Sequence, residues 1–210
     1  MIRIKVCGLT EAANAAAVAA CGIDYAGFIF YRGSKRFVGD MPDSSLFKGI
    51  PASIQKVGVF VDEDSNTVLE KAFRYGLSCV QLHGREDPET CAAIRAAGIT
   101  VVKSFGMEDN FDFHIPELYA GSCDFFLFDT HTPQYGGSGM QFSWGLLQHY
   151  SLNIPFFLSG GIGLSDTEKI LSFRHPQLHA IDVNSRLEIS PGVKDVEKVL
   201  QFIQELKSQS

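Results

Sequence analysis

Apolar positions along the chain fall into short β-branched or aromatic runs, and these alternate with amphipathic stretches from one end to the other. The first run, Ile2-Arg3-Ile4-Lys5-Val6-Cys7, alternates apolar and polar residues before Gly8-Leu9-Thr10. It predicts a strand, a sharp turn at Gly8, and a helix capped by Thr10. That helix spans the alanine-rich Glu11 to Cys21 and stops at Gly22. Tyr25 to Phe30 is almost wholly apolar, as a strand covered on both faces of a parallel sheet should be. Further strands are expected over Gln55 to Val61, Leu77 to Leu82, Ile99 to Phe105, Asp124 to Phe128, Pro155 to Leu158 and His179 to Val183. Between them, helices are expected over Ser44 to Gly49, Ser65 to Tyr75, Asp87 to Gly98, Phe111 to Tyr119, Ser143 to Tyr150 and Ser165 to Phe173, with a last one over Val193 to Leu206.

Eight alternating units form either a closed (β/α)8 barrel or a doubly wound open sheet. The count favours closure. An open sheet would place G-x-G-x-x-G after its first strand, and Cys7-Gly8-Leu9-Thr10 is not that turn. The expected fold is therefore α/β, a single-domain (β/α)8 TIM barrel over residues 1–210 with short loops.

Composition narrows the partners. A net charge of -6 with dispersed basic residues argues against nucleic acid. No apolar run is long enough to span a membrane, and no signal sequence is visible. Five widely spaced cysteines without C-x-x-C indicate neither a disulfide framework nor a zinc site, and suit a reducing cytoplasmic setting. The sequence leaves monomer and homodimer both open.

In such a barrel the carboxyl ends of the strands share the face that holds the active site. Cys7, Arg36, His83, Asp129, Gly160-Gly161 and Asp182-Val183-Asn184-Ser185 stand at those ends. Glycine turns after strands seven and eight fit a phosphate cradle of backbone N–H groups. Gly136-Gly137-Ser138-Gly139 could add to it or form a lid. Asp129, emerging from an apolar strand, suits a general acid, and Arg36 suits a carboxylate clamp. Each has a plain structural reading as well: Cys7 as buried filler, Asp129 as a loop cap, Arg36 as solvated charge, and His83 as a hydrogen-bonded structural histidine. No paired histidines suggest a metal.

The chain resembles the phosphoribosylanthranilate isomerase family of tryptophan biosynthesis nearly end to end. The resemblance rests on Lys5-Val6-Cys7-Gly8-Leu9-Thr10, Ser34-Lys35-Arg36-Phe37, Val80-Gln81-Leu82-His83-Gly84, Leu127-Phe128-Asp129-Thr130, Gly136 to Gly139, Ser159-Gly160-Gly161, Asp182-Val183-Asn184-Ser185 and Pro191-Gly192-Val193-Lys194-Asp195. It implies an Amadori rearrangement without cofactor or metal, acting on a small phosphorylated substrate. Asp129 would be the general acid at the furanose oxygen and Cys7 the general base at ribose C2. Arg36 would engage the anthranilate carboxylate, while Gly137, Gly160, Gly161, Asp182, Asn184 and Ser185 would line the substrate and phosphate site.

Two departures stand out: Arg186 replaces the commoner glycine, and the loop Tyr31-Arg32-Gly33 lacks the usual proline. The thiol and carboxyl should titrate as a coupled unit with a bell-shaped profile, and a flat profile between about pH 6 and 9 would count against the pair. The rivals are an indole-glycerol-phosphate synthase using Lys103 as acid, a metal-dependent pentose-phosphate epimerase, and a non-catalytic barrel that binds a phosphometabolite.

Overall fold

The structure, a computed structural model, describes residues 2–130 and 141–207. Eight parallel strands close in sequence order: β1 (Arg3–Val6), β2 (Tyr25–Ile29), β3 (Gln55–Phe60), β4 (Cys79–Leu82), β5 (Thr100–Met107), β6 (Phe125–Thr130), β7 (Phe156–Leu158) and β8 (Leu178–Val183). β8 returns to β1, and that seam sets Lys5 beside Asp182. The expected barrel is the fold observed.

Period-two alternation separates two apolar layers. Along β6, Phe126 and Phe128 join the large cluster between barrel and helices, while Leu127 joins a smaller one. The smaller cluster is Tyr25, Val57, Cys79, Val102, Leu127, Phe157 and Ala180, drawn from seven strands, and it fills the barrel. β1 contributes no apolar member there. Two residues further along their strands, the inward face turns polar with Gln81, Asp129, Ser159 and Asp182. Burial of the lower layer thus aims a polar layer at the carboxyl rim.

The helices are α1 (Ala12–Ala20), α2 (Ser45–Lys48), α3 (Ser65–Tyr75), α4 (Pro88–Ala96), α5 (His114–Glu117), α6 (Thr167–Ser172) and α7 (Val196–Lys207). Asp64 and Asp87 cap α3 and α4 by accepting backbone N–H groups, and Gly76 ends α3 in the left-handed region at φ 61°. No helix among the described residues is long and apolar enough to cross a membrane.

Four expected elements differ. Thr10 does not cap α1; its hydroxyl donates instead to the Gly192 carbonyl at 2.9 Å, a tertiary partner winning over a local one. Ser143 precedes a 3-10 turn, Trp144–His149, in place of an α-helix, and its side chain makes no cap hydrogen bond. Ser165 lies inside another 3-10 turn, and Asp166 closes that turn by accepting the Gly163 N–H at 2.9 Å. The last helix starts at Val196 rather than Val193. Glu188–Ser190 (β9) and Val193–Lys194 (β10) form an antiparallel ribbon turned at Gly192, whose φ is 94°.

Candidate active site

The site begins one layer below the rim. Lys5 is 1% exposed, and its ammonium donates to Gln81 Oε1 at 2.8 Å and to Asp182 Oδ1 at 2.9 Å. Ser159 Oγ donates to Asp182 Oδ2 at 3.4 Å. Burial pulls the Lys5 ammonium down, but the charges of Asp182 and Cys7 outweigh it and the net shift is upward. The ion pair therefore persists at neutral pH.

Cys7 stands two residues beyond Lys5 on the same face. Its backbone N–H donates to Val183 at 2.9 Å, tying the strand end to β8. A methyl group at Gly27 would lie 2.8 Å from Cys7 Sγ, so glycine on β2 makes the room the thiol occupies. Burial pushes the thiol above its ordinary range, Lys5 and Lys194 pull it back, and Asp182 adds to the rise. The site therefore holds Cys7 as a thiol, and only a small fraction is thiolate at neutral pH.

Asp129 lies near the end of β6, with its side chain 29% exposed. Its Oδ1 accepts the Thr130 N–H at 2.8 Å. Desolvation and the charge of Asp182 push this carboxyl up to about 6, against Thr130, Lys5 and Ser159. The Lys5–Asp182 pair bears on both Cys7 and Asp129, so the thiol and carboxyl share one electrostatic environment. His83 Nε2 lies 3.7 Å from Asp129 Oδ2. Burial, Lys103 and Lys5 lower this imidazole to about 4, so at neutral pH the contact is between a neutral ring and a carboxyl group.

Arg36 reaches the rim from the loop after β2, passing over Gly8, where a methyl group would lie 2.6 Å from Arg36 Cδ. Its Nε and Nη2 donate to Glu188 at 2.8 and 2.6 Å. Lys194, fully buried, donates to the same carboxylate at 2.6 Å and to Asn184 Oδ1 at 2.6 Å. Burial raises Glu188, but Arg36 and Lys194 together hold it below the usual carboxylate range. One edge of the guanidinium is thus committed inside the protein. The opposite edge, Nη1 and the second Nη2 hydrogen, meets no acceptor among the described residues and offers a complete fork.

The turns after β7 and β8 lie on the same rim. Gly160 and Gly161 both take left-handed backbone, φ 104° and 62°. Their N–H groups and that of Ser185 donate to no acceptor among the described residues. A methyl group at Gly160 would come within 3.0 Å of the Thr130 nitrogen, so the turn packs directly on the strand end that bears Asp129. Asn184 serves Lys194 through its side chain, and Asp182 serves Lys5. Gly137 and the rest of Gly136 to Gly139 lie outside the described residues.

Cys7, Arg36, His83, Asp129, Gly160, Gly161 and Ser185 therefore share one face. Lys5, Gln81, Ser159 and Lys194 stand in the quoted motifs without a side-chain role, and Glu188 was missed in the sequence. The first three sit two residues before or beyond another inward position, a signal that strand parity alone would have supplied. Lys103, the rival acid, points away: it is 2% exposed and donates to Glu86 Oε2 at 3.1 Å and to the Gly84 carbonyl at 2.7 Å.

Known proteins are similar to this chain in sequence and in fold. A protein of Parabacteroides distasonis named N-(5'-phosphoribosyl)anthranilate isomerase is 45% identical over 204 residues, covering 97% of this chain and 92% of its own. The phosphoribosyl anthranilate isomerase of Thermus thermophilus superposes with a TM-score of 0.87 at 27% identity, over 100% of both chains. A crystal structure of phosphoribosyl anthranilate isomerase in complex with reduced 1-(o-carboxyphenylamino)-1-deoxyribulose 5-phosphate superposes with a TM-score of 0.84 at 31% identity, covering 99% of this chain and 100% of that one. The family model described as N-(5'phosphoribosyl)anthranilate (PRA) isomerase matches residues 4–205, and with these relatives it shows that the chain belongs to that family.

Proposed function

We propose that this protein isomerises N-(5-phosphoribosyl)anthranilate to 1-(2-carboxyphenylamino)-1-deoxyribulose 5-phosphate, the Amadori step of tryptophan biosynthesis. The observation that carries the reading is a carboxyl held up to about 6 on the same rim as a strand-end thiol. Protonated Asp129 delivers its proton to the furanose oxygen as the C1–O bond breaks, and the anilino nitrogen's lone pair forms the iminium. Cys7, as thiolate, takes the proton from C2; the C2–H electrons form the enolamine double bond, which returns a pair to nitrogen. Tautomerisation then gives the ketone. The free fork of Arg36 suits the substrate's aryl carboxylate, and the N–H groups of Gly160, Gly161 and Ser185 suit its phosphate. The setting is cytoplasmic in this reading.

The test follows the fluorescence of the anthranilate substrate during turnover by the purified protein, Cys7→Ala and Asp129→Asn. Each variant should keep its circular dichroism and lose roughly 10²- to 10⁴-fold in kcat, the range for one general acid or base. Unchanged turnover in either variant removes that residue from the chemistry.

A further inference from the structure

His83 faces Asp129 with only one side of its ring, and the opposite side decides what it can do there. Lys5 carries hydrogen-bond donors and no acceptor, so the Gln81 oxygen must face it, as the 2.8 Å contact requires. The Gln81 amide nitrogen then lies 2.8 Å from His83 Nδ1 and can only donate. A neutral imidazole that accepts at Nδ1 carries its proton on Nε2, the atom turned toward Asp129 at 3.7 Å. From this contact order we infer that His83 is a positioning residue for the acid: its fixed Nε2–H stands ready to donate to the Asp129 carboxylate as the acid releases its proton.

The inference rests on the proposed reaction and adds a residue to it. At 3.7 Å the contact is too long for a hydrogen bond, which suits a group whose partner is protonated before reaction and charged after it. A donor aimed where negative charge develops lowers the barrier more than one satisfied from the outset. The ring is braced for this. The His83 N–H donates to Phe60 at 2.8 Å, and the following turn is held by Lys103 and Glu86, whose carboxylate accepts the Gly84 N–H at 3.0 Å and the Asp62 N–H at 2.9 Å. Lys103 and Lys5 are the cations that bear on His83, and both disfavour a second proton on the ring. Asp182, Lys5, Ser159 and the Thr130 N–H are the other groups acting on Asp129.

Nitrogen NMR of labelled protein, with His83 assigned by its loss in His83→Gln, should show a neutral Nε2–H ring throughout about pH 6 to 8. His83→Ala should lower kcat on the order of 10²-fold with KM within about threefold, and should move the pH limb belonging to Asp129 upward. His83→Gln, whose amide offers an N–H at similar reach, should recover most of that loss. An Nδ1–H ring overturns the assignment, as does His83→Ala turnover within about twofold of the unmodified protein or a loss that His83→Gln fails to repair. Absence of turnover in the unmodified protein would instead sink the reaction itself.

Discussion

Asp129 and Cys7 are shifted in the same direction by a shared cause, removal from water, and the consequences for the two are opposite. In the proposed reaction the rise to about 6 helps Asp129, as an acid that must hold a proton, and a rise above 9.0 hinders Cys7, as a base that must lose one. The productive pair, protonated carboxyl with thiolate, is therefore a minor species at neutral pH. Its population falls below about pH 6, where the carboxyl is already protonated and the thiolate thins tenfold per unit. It falls again above the thiol's own pKa, beyond 9.0. Between those limits gain of thiolate and loss of carboxylic acid cancel. We expect kcat/KM to rise up to about pH 6 and then stay level past 9 when chemistry limits the rate. The sequence-based expectation, that a flat stretch from 6 to 9 would count against the pair, is thus corrected by the burial of both groups. A single sharp optimum near pH 7 would contradict the two environments described.

At the scale of elements, the ribbon of β9 and β10 does most to complete the rim. It is docked by the Thr10 hydroxyl on Gly192 and by Asn14, whose side-chain amide pairs with both the N–H and the carbonyl of Lys194 at 2.8 Å. So docked, it brings Glu188 to Arg36 and closes a buried cluster of two cations and one carboxylate. Glu188→Gln leaves Arg36 and Lys194 without their common counter-charge. Stability should fall by about 3 kcal/mol, the low end for breaking a buried ion pair, as read by urea denaturation. With Arg36 holding the substrate carboxylate as proposed, KM should rise about tenfold, the equivalent of roughly 1.4 kcal/mol, with little change in kcat, because a loosened guanidinium would weaken substrate and transition state alike. An unaltered KM would mean that Arg36 needs no such brace. The ribbon was not legible in the sequence because Val193-Lys194 and its partner Glu188-Ile189-Ser190 are both too short to show alternation.

At the scale of the whole molecule, the two ends of the barrel answer acid differently. His179 at the amino end takes an Arg3 donor on Nδ1 at 3.1 Å and lies 2.8 Å from the Tyr25 hydroxyl at Nε2. Burial and Arg3 lower it to about 4. Its folded pKa is below its unfolded 6.5, so the neutral ring belongs to the native state, and stability drains as pH falls from 6.5 toward 4. At the carboxyl rim His83 shifts down and Asp129 up, and these two oppose each other over the same interval. The melting temperature should drop between about pH 6.5 and 4.5, and His179→Phe should flatten that drop even if it lowers the plateau. An identical slope in the variant would place the acid sensitivity elsewhere.

Strand number, strand order and the candidate acid and base were legible because they follow from local periodicity and from residues that interrupt it at strand ends, such as Cys7 and Asp129. The sequence by itself determined which side chains could meet, since alternation along each strand decides which face a residue joins. Only closure of the barrel decided which of them do meet and in what charge state. Lys5 finds Asp182 across the β1–β8 seam at a separation of 177 residues, and Arg36 finds Glu188 at 152. Desolvation, which sets the thiol, the carboxyl and the imidazole, is a property of the packed interior and has no counterpart in the order of residues.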